Sequence, residues 1–183
     1  QAIDQLRAGP EILHVNVALP EIDEPAMMEE VIRQLQGVVD APLQLDSTNP
    51  DVLERGLRLC SGKPIVNSVN GEQAVLDRIL PLVRKYGAAV VGLTLDENGI
   101  PPKAEERFAI AERIVKAAEE YGIPREDVAI DCLTLTASVQ QAEVRETLRA
   151  MELVKERLGV KTVLGVSNIS FGLPEREILN VCF

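Results

Sequence analysis

Six short apolar runs, each followed by a longer segment of helical period, leave this chain few folds to choose from. The runs fall at residues 11–17, 43–46, 65–67, 88–95, 128–133 and 161–166. Between them apolar side chains recur three and four apart, as at Met28, Val31, Ile32, Leu35 and Val38, or at Phe108, Ala111, Ile114, Val115 and Ala118. A strand and a helix in every ~20 to 40 residues is the signature of parallel βαβ units, because parallel neighbours need a long crossover between them. Punctuation agrees with this reading. Pro25 and Asn49-Pro50 suit first helical turns, Gly87, Gly122 and Gly159 suit helix ends, and Pro81 is expected to kink the helix that contains it.

The apolar runs also share a direction. Five of the six break into polar residues at the C-terminal end: Asp46 and Ser47, Asn67 and Ser68, Thr94 and Asp96, Asp131, and finally Ser167 and Asn168 in KTVLGVSNISFGLP. In parallel βα architecture those ends lie along one edge, so the pattern predicts a single polar rim.

A closed (β/α)8 barrel has eight strands and about 250 residues. With 183 residues and six strands, the chain is expected to supply the middle of such a TIM barrel as one partial domain, 1–183, without the first and last strands. It opens on a helix end at residues 2–8 and closes on a helix start at 175–183. The alternative is an open doubly wound sheet, but no glycine-rich phosphate loop follows any strand.

Composition narrows the partners. A net charge of −10, no Trp, and no basic stripe interleaved with aromatics oppose nucleic acid and anionic membranes. No run approaches the ~18 apolar residues of a membrane span, and the polar opening QAIDQLRAG is unlike a signal peptide. Cys60, Cys132 and Cys182 are scattered and odd in number, which fits a reducing cytoplasm better than a disulfide framework or a metal site.

Asp46, Asn67, Asp131 and Asn168, with no Lys or His beside them, make poor phosphate ligands. They suit a neutral heterocycle with paired N–H donors, since a carboxylate accepts two parallel hydrogen bonds and an amide donates and accepts at once. Taken singly, Asp46 and Asp131 also suit helix caps or arginine partners, and Asn67, Ser68 and Ser167 suit turns. Asp96, in Asp-Glu-Asn-Gly, reads as a turn residue.

The segments LQLDSTNPDVLERGL, GKPIVNSVNGE, GLTLDENGIP, AIDCLT and KTVLGVSNISFGLPER together resemble the pterin-binding barrel of corrinoid-dependent methyltetrahydrofolate methyltransferases. NISFGLPER and VNVALPEIDE lean towards the folate module of cobalamin-dependent methionine synthase, and the methyltransferase acting on a corrinoid iron-sulfur protein is the close second. The resemblance implies a barrel of the dihydropteroate synthase-like type. It also implies that Asp46, Asn67 and Asp131 hold the pyrimidine edge of the pterin, with Ser167 beside them and Asn168 near the methyl-bearing N5. In that family a cob(I)alamin nucleophile takes the methyl group of methyltetrahydrofolate. Asn168 would then stabilise the changing charge at N5 as the catalytic residue, by electrostatics more than by proton transfer.

No metal site is expected in the chain. With no D-x-H-x-x-G motif and a single histidine, cobalamin must come from a corrinoid domain or protein, and zinc-dependent homocysteine activation must lie elsewhere. A homodimer is a further expected partner state. The sequence departs from the family at His14, where Asp is usual, and at Ala18, where Gly is usual. His14 reads as a polar strand residue, and Arg176 and Lys103 as solvated loop charges. A dihydropteroate synthase relative is disfavoured because its Ser-x-Arg-Pro-like loop is absent. A pterin-binding scaffold without turnover is the reading from another class.

Overall fold

The computed structural model describes residues 2–183. After helix α1 (Ala2–Arg7), strand and helix alternate: β1 (Leu13–Asn16), α2 (Glu24–Gln36), β2 (Leu43–Asp46), α3 (Pro50–Leu59), β3 (Ile65–Val69), α4 (Gln73–Tyr86), β4 (Ala89–Leu93), α5 (Ala104–Glu120), β5 (Val128–Asp131), α6 (Gln141–Leu153), β6 (Lys161–Val163) and α7 (Arg176–Cys182). All five strand pairings are parallel and the sheet order is β1-β2-β3-β4-β5-β6. A doubly wound sheet reverses its strand order partway. This one never does, and among the described residues it runs as an arc with β1 and β6 as its edges, the order of a TIM-barrel-like fold.

Register decides what each side of the arc carries. Leu13, Val15, Leu43, Leu45, Val66, Val90, Val128 and Ile130 point to the helices and are buried. They pack against Met28 and Ile32 of α2, Leu53 of α3, Leu80 of α4 and Ile114 of α5. The helix layer sits tightly on the sheet. A Cβ on Gly56 of α3 would stand 2.8 Å from Leu45 Cδ1, and one on Gly92 of β4 would stand 2.8 Å from Ile114 Cγ2. The opposite, inner face carries Gln44, Ile65, Ala89, Val91, Ala129 and Val163, which line a cavity of about 490 Å³ toward the N-terminal strand ends.

Helix ends follow the expected chemistry. Asp23 accepts from the N–H of Ala26, and Asn49 accepts from that of Asp51, with proline in the first turn of both helices. Gly87 and Gly159 close their helices with φ of 64° and 66°, a conformation that suits glycine. Two expectations need correction. Val38 lies beyond α2 and is 60% exposed, because the helix ends at Gln36 and the N–H groups of Val38 and Val39 turn back to Leu35 O. The last strand stops at Val163, because the N–H of Val166 turns back to Leu164 O and residues Val166–Asn168 form a 3-10 turn.

Candidate functional site

The polar rim predicted from the strand ends exists, and the register explains how it is built. Asn16, Asp46 and Asn67 end their runs as in-register partners on β1, β2 and β3, so their side chains stand side by side at the ~4.8 Å spacing of adjacent strands. Asp131 ends β5, opposite Leu93 and Val163. Ser167 and Asn168 follow β6, on the 3-10 turn instead of a strand. The pairing of β3 with β4 shifts register between Asn67 and Val69, a local irregularity of the kind that re-aims a side chain at a sheet's rim.

Asp46 is held on one side only. Its Oδ2 lies 2.8 Å from His14 Nε2 and accepts a hydrogen bond from Asn16 Nδ2 at 3.0 Å. Asn16 cannot turn its amide around without loss, because its Oδ1 accepts the Ala18 N–H at 3.0 Å. Among the described residues Asp46 Oδ1 has no partner, and neither does the amide of Asn67. His14 is therefore more than a polar strand residue. Ser47, by contrast, is structural: it donates to Glu24 Oε1 at 2.7 Å and accepts from the Asn49 N–H at 3.1 Å.

Asp131 is half-buried, and its Oδ1 accepts the Leu133 N–H at 2.7 Å. Burial pushes its carboxyl above the usual carboxylate range, and the Leu133 hydrogen bond opposes that shift. Burial, reinforced by the Asp131 charge, also pushes the neighbouring Cys132 thiol up to about 12. Cys132 is thus a protonated core residue at neutral pH and no nucleophile. Two buried threonine hydroxyls near this end, Thr94 and Thr134, have no partner among the described residues. Asp96 takes the turn role expected of it, accepting from the N–H and the side-chain amide of Asn98 at 3.0 and 3.3 Å.

Asn168 is exposed and its side-chain amide has no protein partner among the described residues. Its Nδ2 would stand 3.2 Å from a Cβ on Gly165, so glycine there gives the amide room. The carbonyl of Ser167 accepts from Ser170 Oγ at 3.3 Å and from Arg176 Nη2 at 3.1 Å. Arg176 is accordingly bonded into this loop and is not a free surface charge.

The rim thus offers one unfilled carboxylate oxygen at Asp46, a second at Asp131, and two uncommitted amides at Asn67 and Asn168. That set can grip a planar, uncharged ring by its N–H edge. Sequence reading missed His14 and Asn16, which gain meaning only through cross-strand register. It also missed Arg107 of α5, which is fully buried behind Asp131.

The strand order and helix layer define a parallel βα fold of the dihydropteroate synthase-like, TIM-barrel type. The crystal structure of dihydropteroate synthase from Thermus thermophilus superposes with a TM-score of 0.78 at 22% identity, covering 99% of this chain and 74% of that one. A family model described as pterin binding enzyme matches residues 1–182, and the chain belongs to that family. Among relatives, methionine synthase of Mycobacterium leprae is 37% identical over 195 residues, covering 100% of this chain and 16% of that protein. Methylcorrinoid:tetrahydrofolate methyltransferase of Eubacterium limosum is 30% identical, covering 100% of this chain and 69% of that protein. The chain therefore spans only a small part of the methionine synthases it matches. No helix among the described residues is long and apolar enough to cross a membrane.

Proposed function

We propose that this chain, taken as one unit over residues 1–183, binds 5-methyltetrahydrofolate at the rim and presents its N5-methyl group to a corrinoid carried by another domain or protein. The observation that carries this reading is the row Asn16, Asp46 and Asn67, in which Asn16 holds one oxygen of Asp46 and leaves the other, together with the Asn67 amide, uncommitted. Asp46 Oδ1 is left open while Oδ2 meets His14 and Asn16, as suits an acceptor of the pterin's ring N–H groups. Asp131 adds a second acceptor across the arc, Asn67 can donate and accept along the same edge, and Ser167 borders it. Among the described residues no phosphate-type cluster of cations competes there.

The bound corrinoid supplies the cobalt nucleophile that takes the methyl group. The chain's own residues bind the ring, orient it, and meet the charge that changes at N5. Asn168 is suited to that last task because its amide is uncommitted and can rotate to donate or accept there. Electrostatic help of this kind acts in the transition state more than in the bound ground state.

The reading favours the folate half-reaction of methionine synthesis, on the 37% identity to methionine synthase. Transfer involving a separate corrinoid protein is the second reading, supported by the Eubacterium limosum methyltransferase, of which this chain covers 69%. Three free cysteines, one of them buried, suit the reducing cytoplasm this chemistry would occupy.

The test mixes the protein with methyltetrahydrofolate and cob(I)alamin without oxygen and follows the spectrum. Methylcobalamin formed at a rate proportional to protein supports the proposal. Folate binding by calorimetry without methyl transfer supports a scaffold instead. Absence of folate binding overturns both.

A further inference from the structure

Arg107 is one of the largest fully buried side chains of the protein. Its guanidinium meets no carboxylate within ion-pair distance among the described residues, and it spends its donors on the backbone beside Asp131. Nε donates to Pro101 O at 2.7 Å, and Nη1 to Cys132 O at 2.9 Å, to Leu133 O at 3.2 Å and to Thr147 Oγ1 at 2.7 Å. Nη2 has no partner among the described residues. Thr147 itself bonds Leu133 O at 3.1 Å and Glu143 O at 3.1 Å. The facing titratable groups are Glu143 and Glu146 on α6 and the Cys132 thiol, with burial opposing the guanidinium's charge most strongly. Shutting away a cation met only by carbonyls and a hydroxyl costs stability, so its retention calls for a reason.

The reason lies in one peptide unit. The Cys132 carbonyl that Arg107 holds and the Leu133 N–H that bonds Asp131 Oδ1 belong to the same planar amide, whose two polar ends point in opposite directions. Anchoring the carbonyl among α5 and α6 aims the N–H at the carboxylate. Leu133 adopts φ of 61°, a left-handed conformation that a leucine holds only under external constraint, and Arg107 and Thr147 supply that constraint at its own carbonyl. The positive charge on one end of the amide also strengthens the donor at the other.

We infer that Arg107 is a positioning residue: through the Cys132–Leu133 peptide it fixes the Asp131 carboxylate, engaging one oxygen and leaving the other turned to the ligand. The consequence for the ligand rests on the reading of Asp131 as a pterin contact, but the consequence for Asp131 itself does not.

Two measurements separate them. The first follows the Asp131 carboxyl by carbon-13 NMR in aspartate-labelled, unliganded protein, with the signal identified by its loss in Asp131→Asn. Arg107→Met should raise the titration midpoint by about half a pH unit or more as the N–H loses its aim, with Arg107→Lys falling between. An unmoved midpoint in folded Arg107→Met overturns the inference. If Arg107→Met does not fold, Thr147→Val should raise the midpoint by a smaller step, and an unmoved midpoint there has the same meaning. The second is a pterin-binding cycle. Arg107→Met should weaken binding about tenfold, the scale of one charge-assisted hydrogen bond misdirected, and should add nothing in the Asp131→Asn background. Equal losses in both backgrounds overturn it. A moved midpoint in a protein that never binds pterin refutes the function proposed above and leaves Arg107 in its role.

Discussion

Changing Asp46 to Asn alters one oxygen to an NH2 group and almost nothing in volume, so its consequence follows from hydrogen-bond polarity alone. Asn16 presents Nδ2 to residue 46 and is kept that way by the Ala18 N–H on its Oδ1. An asparagine at 46 then has two choices. It can turn its oxygen to Asn16 and its NH2 outward, where it meets the ring N–H groups donor against donor. Or it can turn its oxygen outward and set NH2 against NH2 at Asn16. Either way the ligand loses a charged acceptor, and one pair of donors is left facing. Hydrogen bonds to charged groups contribute about 1.5–3 kcal/mol, so folate affinity should fall by roughly 10- to 150-fold, at 1.4 kcal/mol per decade. Stability should barely change, because His14 is 53% and Asp46 29% exposed and such pairs contribute under about 1 kcal/mol. Calorimetric titration with methyltetrahydrofolate beside urea denaturation reads both. Unchanged affinity, or a stability loss as large as the affinity loss, would refute the reasoning.

Asp131→Asn should separate stability from function in a pH-dependent way. Burial raises the folded carboxyl of Asp131, so the stability tied to its protonation is present at low pH and is lost as pH rises through the folded value. The asparagine variant should therefore gain on the wild type as pH rises above the ordinary aspartate value of about 4 in urea melts, while binding folate more weakly; a difference that stays constant with pH contradicts the cause given. Asn168→Ala should slow methyl transfer about a hundredfold with little change in folate affinity, measured by methylcobalamin formation against calorimetry; matched losses would make Asn168 only a binding group. Gly56→Ala sets a methyl 2.8 Å from Leu45 Cδ1 and 3.0 Å from Ile32 Cδ1. Overpacking costs about 1–3 kcal/mol against ~1 kcal/mol of helix propensity, so net destabilisation in urea is expected and a stabilised variant would refute the close packing.

The strand ends were legible because alternation and parity survive in one dimension. Leu43 and Leu45 face the helices, so Gln44 and Asp46 must face the other way. Strand lengths were less legible, since Leu95 and Val166 are apolar but belong to turns closed by local hydrogen bonds. His14 and Asn16 reach Asp46 across 32 and 30 residues, a coincidence that only sheet register reveals. Arg107 left a signal that was available. It falls on the stripe of Ala104, Ala111, Ile114 and Ala118, all buried, and a cation on an apolar helix face asks what it is bonded to.

Because the sheet never changes its order, each polar rim residue travels with its own strand and the loop that follows it. Asp46, Asn67 and Asp131 stand on separate repeating units, so any one contact can be rewritten by altering a single strand tip while the others keep their framework. A descendant of this scaffold could thereby change the chemistry of its rim in small steps, without passing through an unfolded ancestor.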